Sequence, residues 1–136
     1  MVMDEPAVPQ KSVLIVEDDV LLSGLLGRKL SKKFRLKSVP TGEAAIELLK
    51  KESPDLILLD ILLPGMDGFE VLRMVKADPK TAAIPVVILS NLGQPQDVER
   101  GKKLGAAEFV VKVTLLPDEV VDLIETVSKR SSSRAH

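Results

Sequence analysis

At 136 residues, with 19 basic and 20 acidic side chains, the chain has the size of one domain and no global basic field of the kind that draws nucleic acid. It lacks cysteine and has a single histidine, His136 in the tail, which excludes disulfides, thiolate nucleophiles, a catalytic histidine in the core and the usual zinc ligands. Chemistry is left to carboxylates, hydroxyls and lysines. Met1 to Lys11 carries Asp4, Glu5, Pro6 and Pro9, which suits neither a signal peptide nor an amphipathic targeting helix. No apolar run approaches the roughly 20 residues a bilayer requires. The expected compartment is the cytoplasm, with no membrane partner.

Ser12 to Val16 reads as a short β-branched strand ending on Glu17-Asp18-Asp19. Leu22, Leu25, Leu26 and Leu30 then recur at helical spacing, which predicts a helix over Val20 to Lys32 with Asp18 or Asp19 as its N-cap. Arg35 to Val39 is a more polar strand, expected at or near a sheet edge. A helix from Glu43 to Lys51 follows, with Ala45, Leu48 and Leu49 facing inward. Leu56 to Leu59 is wholly apolar between Pro54 and a downstream Pro64-Gly65 turn, the pattern of a strand buried on both faces, and it ends on Asp60.

Gly68 to Ala77 reads as a helix with Phe69, Leu72 and Val75 on one face. Ile84 to Leu89 is a fourth strand, with Pro85 tolerated near its start, ending on Ser90-Asn91. The helix from about Pro95 to Leu104 offers only Val98 and Leu104 to a core and is expected to be mobile. Glu108 to Val111 is a fifth strand ending on Lys112. The last helix runs from about Pro117 to Ser128, with Val120, Ile124 and Val127 inward. Residues 1–11 are expected to form a flexible extension, 12–128 the domain and 129–136 a flexible tail.

Five strands alternating with five helices imply right-handed crossovers and a parallel α/β sheet covered on both faces. In such a sheet every strand's carboxyl end lies on one edge, where ligands bind. Glu17, Asp18, Asp60, Ser90 and Lys112 therefore converge. Taken singly, each has a plain reading: Asp18, Asp19 and Ser90 as helix caps, Lys112 as a solvated charge, Phe109 as core. Together they are harder to dismiss. Three crowded carboxylates call for a cation, and a hard divalent ion such as Mg²⁺ takes one or two of them and keeps positions for water and phosphate. A lysine and a hydroxyl supply the point charge and donor that a phosphoryl group on Asp60 wants.

Leu14-Ile15-Val16-Glu17-Asp18-Asp19, Leu58-Leu59-Asp60-Ile61-Leu62-Leu63-Pro64-Gly65-Met66-Asp67-Gly68, Val86-Val87-Ile88-Leu89-Ser90 and Phe109-Val110-Val111-Lys112 resemble, in that order, the receiver domain of two-component response regulators. The resemblance runs from about Ser12 to Ser128. It implies a flavodoxin-like, doubly wound five-stranded sheet of order 2-1-3-4-5. It also implies Asp60 as phospho-acceptor, Asp18 as a direct Mg²⁺ ligand, Glu17 as a ligand through water and the Leu62 carbonyl as a further ligand. By the same resemblance Ser90 bonds a phosphoryl oxygen, Lys112 pairs with the phosphate, and Ser90 with Phe109 forms the switch.

Such a domain is a signalling phospho-acceptor that catalyses its own phosphorylation and slow dephosphorylation. Its partners are a sensor histidine kinase or histidine phosphotransfer protein and a downstream protein target or output domain, with a homodimer on activation left open. No output domain follows the last helix in these 136 residues: a complete chain signals by docking or phosphate relay, whereas a fragment has lost a DNA-binding or enzymatic domain. Three positions depart from the family pattern: Val113 where a proline usually follows the lysine, Asn91 where a small residue is common, and Phe109 where many relatives have tyrosine. A flavodoxin would not place Glu17-Asp18-Asp19 where a flavin phosphate sits. An aspartate phosphatase would carry an acid where Leu62 stands. The remaining alternative is a degenerate receiver that acts as a phosphorylation-independent interaction module.

Overall fold

A computed structural model describes residues 10–91, 93–112 and 116–134, the side chains of 131–134 excepted. The strands are β1 (Ser12–Val16), β2 (Arg35–Val39), β3 (Leu56–Leu59), β4 (Val86–Ser90) and β5 (Glu108–Val111). The helices are α1 (Val20–Leu30), α2 (Gly42–Leu49), α3 (Gly68–Ala77), α4 (Pro95–Lys103) and α5 (Pro117–Arg134). All pairings are parallel and the strand order is β2-β1-β3-β4-β5, the flavodoxin-like arrangement.

Alternation along the central strand explains why the sheet is covered twice. Leu56 and Leu58 join Leu26, Leu30, Ile124 and Val127 beneath α1 and α5. Ile57 and Leu59 join Ala45, Phe69, Leu72 and Val75 beneath α2 and α3. All four β3 side chains are at most 2% exposed, and each such burial contributes about 2 kcal/mol against an exposed reference. β2, with Arg35 and Lys37 exposed, is the edge strand that its composition implies.

Helix ends follow local chemistry. Asp19, rather than Asp18, caps α1, accepting from the Leu21 and Leu22 amides. Thr41 and Asp67 cap α2 and α3 in the same way. α1 stops at Leu30, short of Lys32, because the Ser31 amide closes on Gly27 O and the Lys33 and Phe34 amides both return to Leu30 O. β4 begins at Val86, not Ile84, since Pro85 has no N–H to place in the ladder.

The final helix is longer than its apolar pattern. It continues to Arg134, past the expected helix end at Ser128: no glycine or proline interrupts 118–134, and Arg130 pairs with Glu108 at 3.2 Å. At the other end, residues 1–9 lie outside the described residues. Gln10 is exposed, and Lys11 is already tied down, its Nζ donating to Ser128 O and its carbonyl accepting from the Arg35 amide.

Candidate functional site

The parallel register brings the acids together. Val16 pairs with Leu59, so the next residues on the two strands, Glu17 and Asp60, emerge side by side. The ladder continues through them, with Glu17 N–H donating to Val39 O and Asp60 N–H to Val16 O. Both carboxylates are buried, at 5% and 4% exposure, whereas Asp18 is exposed. Carboxylate oxygens of Glu17, Asp18 and Asp60 lie within 4.8 Å of one another.

Lys112, at the end of β5, reaches across to both buried acids. Its Nζ lies 2.9 Å from Glu17 Oε1 and 3.0 Å from Asp60 Oδ2. The other oxygens are also held: Glu17 Oε2 accepts from the Asp19 amide at 3.0 Å, and Asp60 Oδ1 from the Leu62 amide at 3.1 Å. Asp60 therefore has a fixed rotamer before any ligand arrives. Ser90, fully buried at the end of β4, stands opposite Val111 and so one residue from Lys112.

The charges do not balance, three carboxylates facing one ammonium. Burial pushes the Glu17 carboxyl above the usual glutamate range, and the neighbouring Asp60 adds to this, while Lys112 and the Asp19 amide oppose it. Burial alone would lower the Lys112 ammonium. The hydrogen bonds and charges of Glu17 and Asp60 outweigh that, and Lys112 is held above the ordinary lysine value. A cluster of hard oxygen donors with about two uncompensated negative charges suits Mg²⁺, so the residues present fit the ion.

Several residues that shape the site were not singled out from the sequence. A Cβ on Gly68 would lie 2.3 Å from Asp60 O and 2.5 Å from Ile61 Cα, so only glycine lets the start of α3 close against the backbone of Asp60. The Gly68 amide also donates to Ile61 O at 2.8 Å. Asp19, read only as a cap, orients Glu17 as well. Gly101 is the single fully buried residue of α4, and a Cβ there would meet Ile88 Cδ1 and Phe109 Cδ2 at 2.9 Å. Hydrophobic counting cannot find a buried glycine. The cue was spacing, since a glycine sits in mid-helix between Val98 and Leu104. Phe109, half-buried on the α4 side, is thus packed beneath Gly101 rather than placed among the acids. Asn91 is exposed, and Val113 lies outside the described residues.

The response regulator receiver domain model matches residues 13–125. A probable cyclic di-GMP phosphodiesterase of Vibrio cholerae is 36% identical over 108 residues, covering 79% of this chain and 24% of that protein. The transcriptional regulatory protein AfsQ1 of Streptomyces coelicolor is 37% identical over 102 residues, covering 74% of this chain and 44% of that one. The chain thus spans less than half the length of these two curated relatives. Among solved structures, the Mn²⁺-bound form of response regulator Rcp1 superposes with a TM-score of 0.75 at 32% identity, covering 85% of this chain and 92% of that one. With the parallel sheet, the converging acids and the lysine, these matches define the class: the chain belongs to the receiver domain family of two-component response regulators. Among the described residues, no helix is long and apolar enough to cross a membrane.

Proposed function

We propose that this receiver takes a phosphoryl group on Asp60 from the phosphohistidine of a sensor kinase or phosphotransfer protein, or from a small phosphodonor, in a Mg²⁺-dependent reaction. The observation that carries this reading is the buried Asp60 carboxylate, held at one oxygen by Lys112 and at the other by the Leu62 amide, beside two further acids. An Asp60 oxygen attacks phosphorus in line, and the bond from phosphorus to the donor's leaving atom, the imidazole nitrogen of phosphohistidine or the nitrogen or oxygen of a small donor, breaks as the new P–O bond forms. Lys112 gives up its contact with the carboxylate oxygen for an equatorial phosphoryl oxygen, and the Ser90 hydroxyl donates to another.

Mg²⁺, held by Glu17, Asp18, Asp60 and the Leu62 carbonyl, would neutralise charge on the transferring group. That Rcp1, 32% identical to this chain, has been solved with Mn²⁺ bound supports a divalent ion here. The phosphorylated aspartate is more negative than the carboxylate it replaces, and it draws Ser90 and its loop inward. Phe109 then shifts from its place against Gly101 into the space that the Ser90 loop vacates, by packing alone since Phe109 has no hydroxyl. The surface of α4 and β5 then changes for a downstream protein or an attached output domain. We place this activity in the cytoplasm.

The proposal is tested by calorimetric titration of Mg²⁺ into the chain and into Asp18→Asn. Saturable binding to the wild type, weakened at least about tenfold in the variant, is expected. No binding would instead favour a degenerate receiver that works as an interaction module.

A further inference from the structure

The amino edge of the sheet, remote from the acids, holds a second feature. A cavity of about 500 Å³ lies between β1, β2 and the segment that follows α2. Strand register accounts for it. Ser12 stands beside Arg35 and Leu14 beside Lys37. Leu36 points to the other face, where it packs towards α1. On the α2 face, therefore, the core ends at Leu14, and the edge strand offers two cations where a further apolar pair would close it. α2 stops at Leu49, and the chain turns through Glu52, Ser53 and Pro54, leaving Leu48 and Pro54 as the opposite wall.

The volume falls within the range of about 300–1,000 Å³ usual for small-molecule sites, and the lining sets Leu48 and a buried apolar floor against Ser12, Arg35, Lys37, Glu52 and Ser53. Lys37 is paired with Glu52. The Arg35 guanidinium, by contrast, has no hydrogen-bond or ion-pair partner among the described residues. A planar fork of donors without an acceptor, set beside an apolar hollow, matches an oxyanion on an apolar body.

We propose that this cavity binds a small organic anion, a carboxylate or phosphate monoester, with its oxygens on Arg35 and its apolar part against Leu48, above the floor that buried Leu14 and Pro54 form. Lys37 becomes a second contact when the anion displaces Glu52.

The test is a titration of the full chain, followed by amide chemical shifts, with phenyl phosphate, phenylacetate and the neutral benzyl alcohol. Saturable shifts at Ser12, Leu36, Leu48 and Ser53 are expected with one or both anions, at a dissociation constant of about 1 mM or tighter. Which anion binds more tightly assigns the headgroup. Arg35→Gln, at an exposed position where the fold is retained, is expected to weaken binding at least about tenfold. Lys37→Gln, which frees Glu52 to repel the ligand, is expected to weaken it as well. Benzyl alcohol binding as tightly as the anions would overturn the proposal. So would undiminished binding to Arg35→Gln, shifts centred on Asp60, or no saturable shift at all.

Discussion

Lys112 donates to Glu17 and Asp60 together, and the charge left over by that one ammonium decides what else the site takes. Because burial raises the Glu17 pKa in the folded chain, the metal-free fold binds a proton there more tightly than the unfolded chain does. Its contribution to stability is full below the ordinary glutamate range and is lost as pH rises through the raised value. The stability difference between wild type and Glu17→Gln, measured without Mg²⁺ by urea denaturation, should therefore move against the wild type from about pH 4 to pH 7. A difference independent of pH would contradict the assignment. Glu47, Glu70 and Asp118, exposed acids lowered by Lys50, Arg73 and Lys29, titrate alike in both proteins and cancel. At this scale the sequence was informative about which groups converge, since each ends or follows a parallel strand. It was silent on their pairing: that Lys112 spans two acids depends on side-chain reach across three strands.

The elements differ in how far their sequences described them. β3 was legible because four apolar residues between turn signals admit few alternatives, and α3 because Phe69, Leu72 and Val75 share one stripe. α4 was placed correctly from Pro95, but its packing was not legible, since its one buried residue is a glycine and Arg100 stacks 4.2 Å above the Phe69 ring of α3. α5 was read short because apolar periodicity ends at Val127 although the backbone continues. The two close-packed glycines should respond differently to alanine. Gly68→Ala drives a Cβ into the backbone at Asp60 and Ile61, which cannot yield, and should cost about 3 kcal/mol or more. Gly101→Ala meets side chains alone, Ile88 Cδ1 and the ring edge of Phe109 at 2.9 Å, and the gain in helix propensity of about 1 kcal/mol offsets that crowding, leaving stability within about 1 kcal/mol of wild type. Chemical denaturation midpoints decide both cases; equal losses at the two positions would show that backbone proximity to Asp60 is not the constraint.

Over the whole molecule, the sheet holds the acids in a buried, fully paired frame while α4 buries only Gly101, which is why the proposed switch is placed there. Swinging a two-state element from 1:99 to 99:1 requires phosphorylation to favour one state by about 5.5 kcal/mol, and a partial shift requires less. Amide hydrogen exchange should change on phosphorylation in α4 and β5, and little in β1 and β3. Identical exchange throughout would exclude this face as the switch. Everything downstream rests on Asp60. The most direct measurement is the intact mass of the chain after incubation with a small phosphodonor, with and without Mg²⁺, for the wild type and for Asp60→Asn. A gain of one phosphoryl group that requires Mg²⁺ and disappears in the variant is expected. No gain under any condition, or the same gain in Asp60→Asn, would contradict phosphoryl transfer to this aspartate.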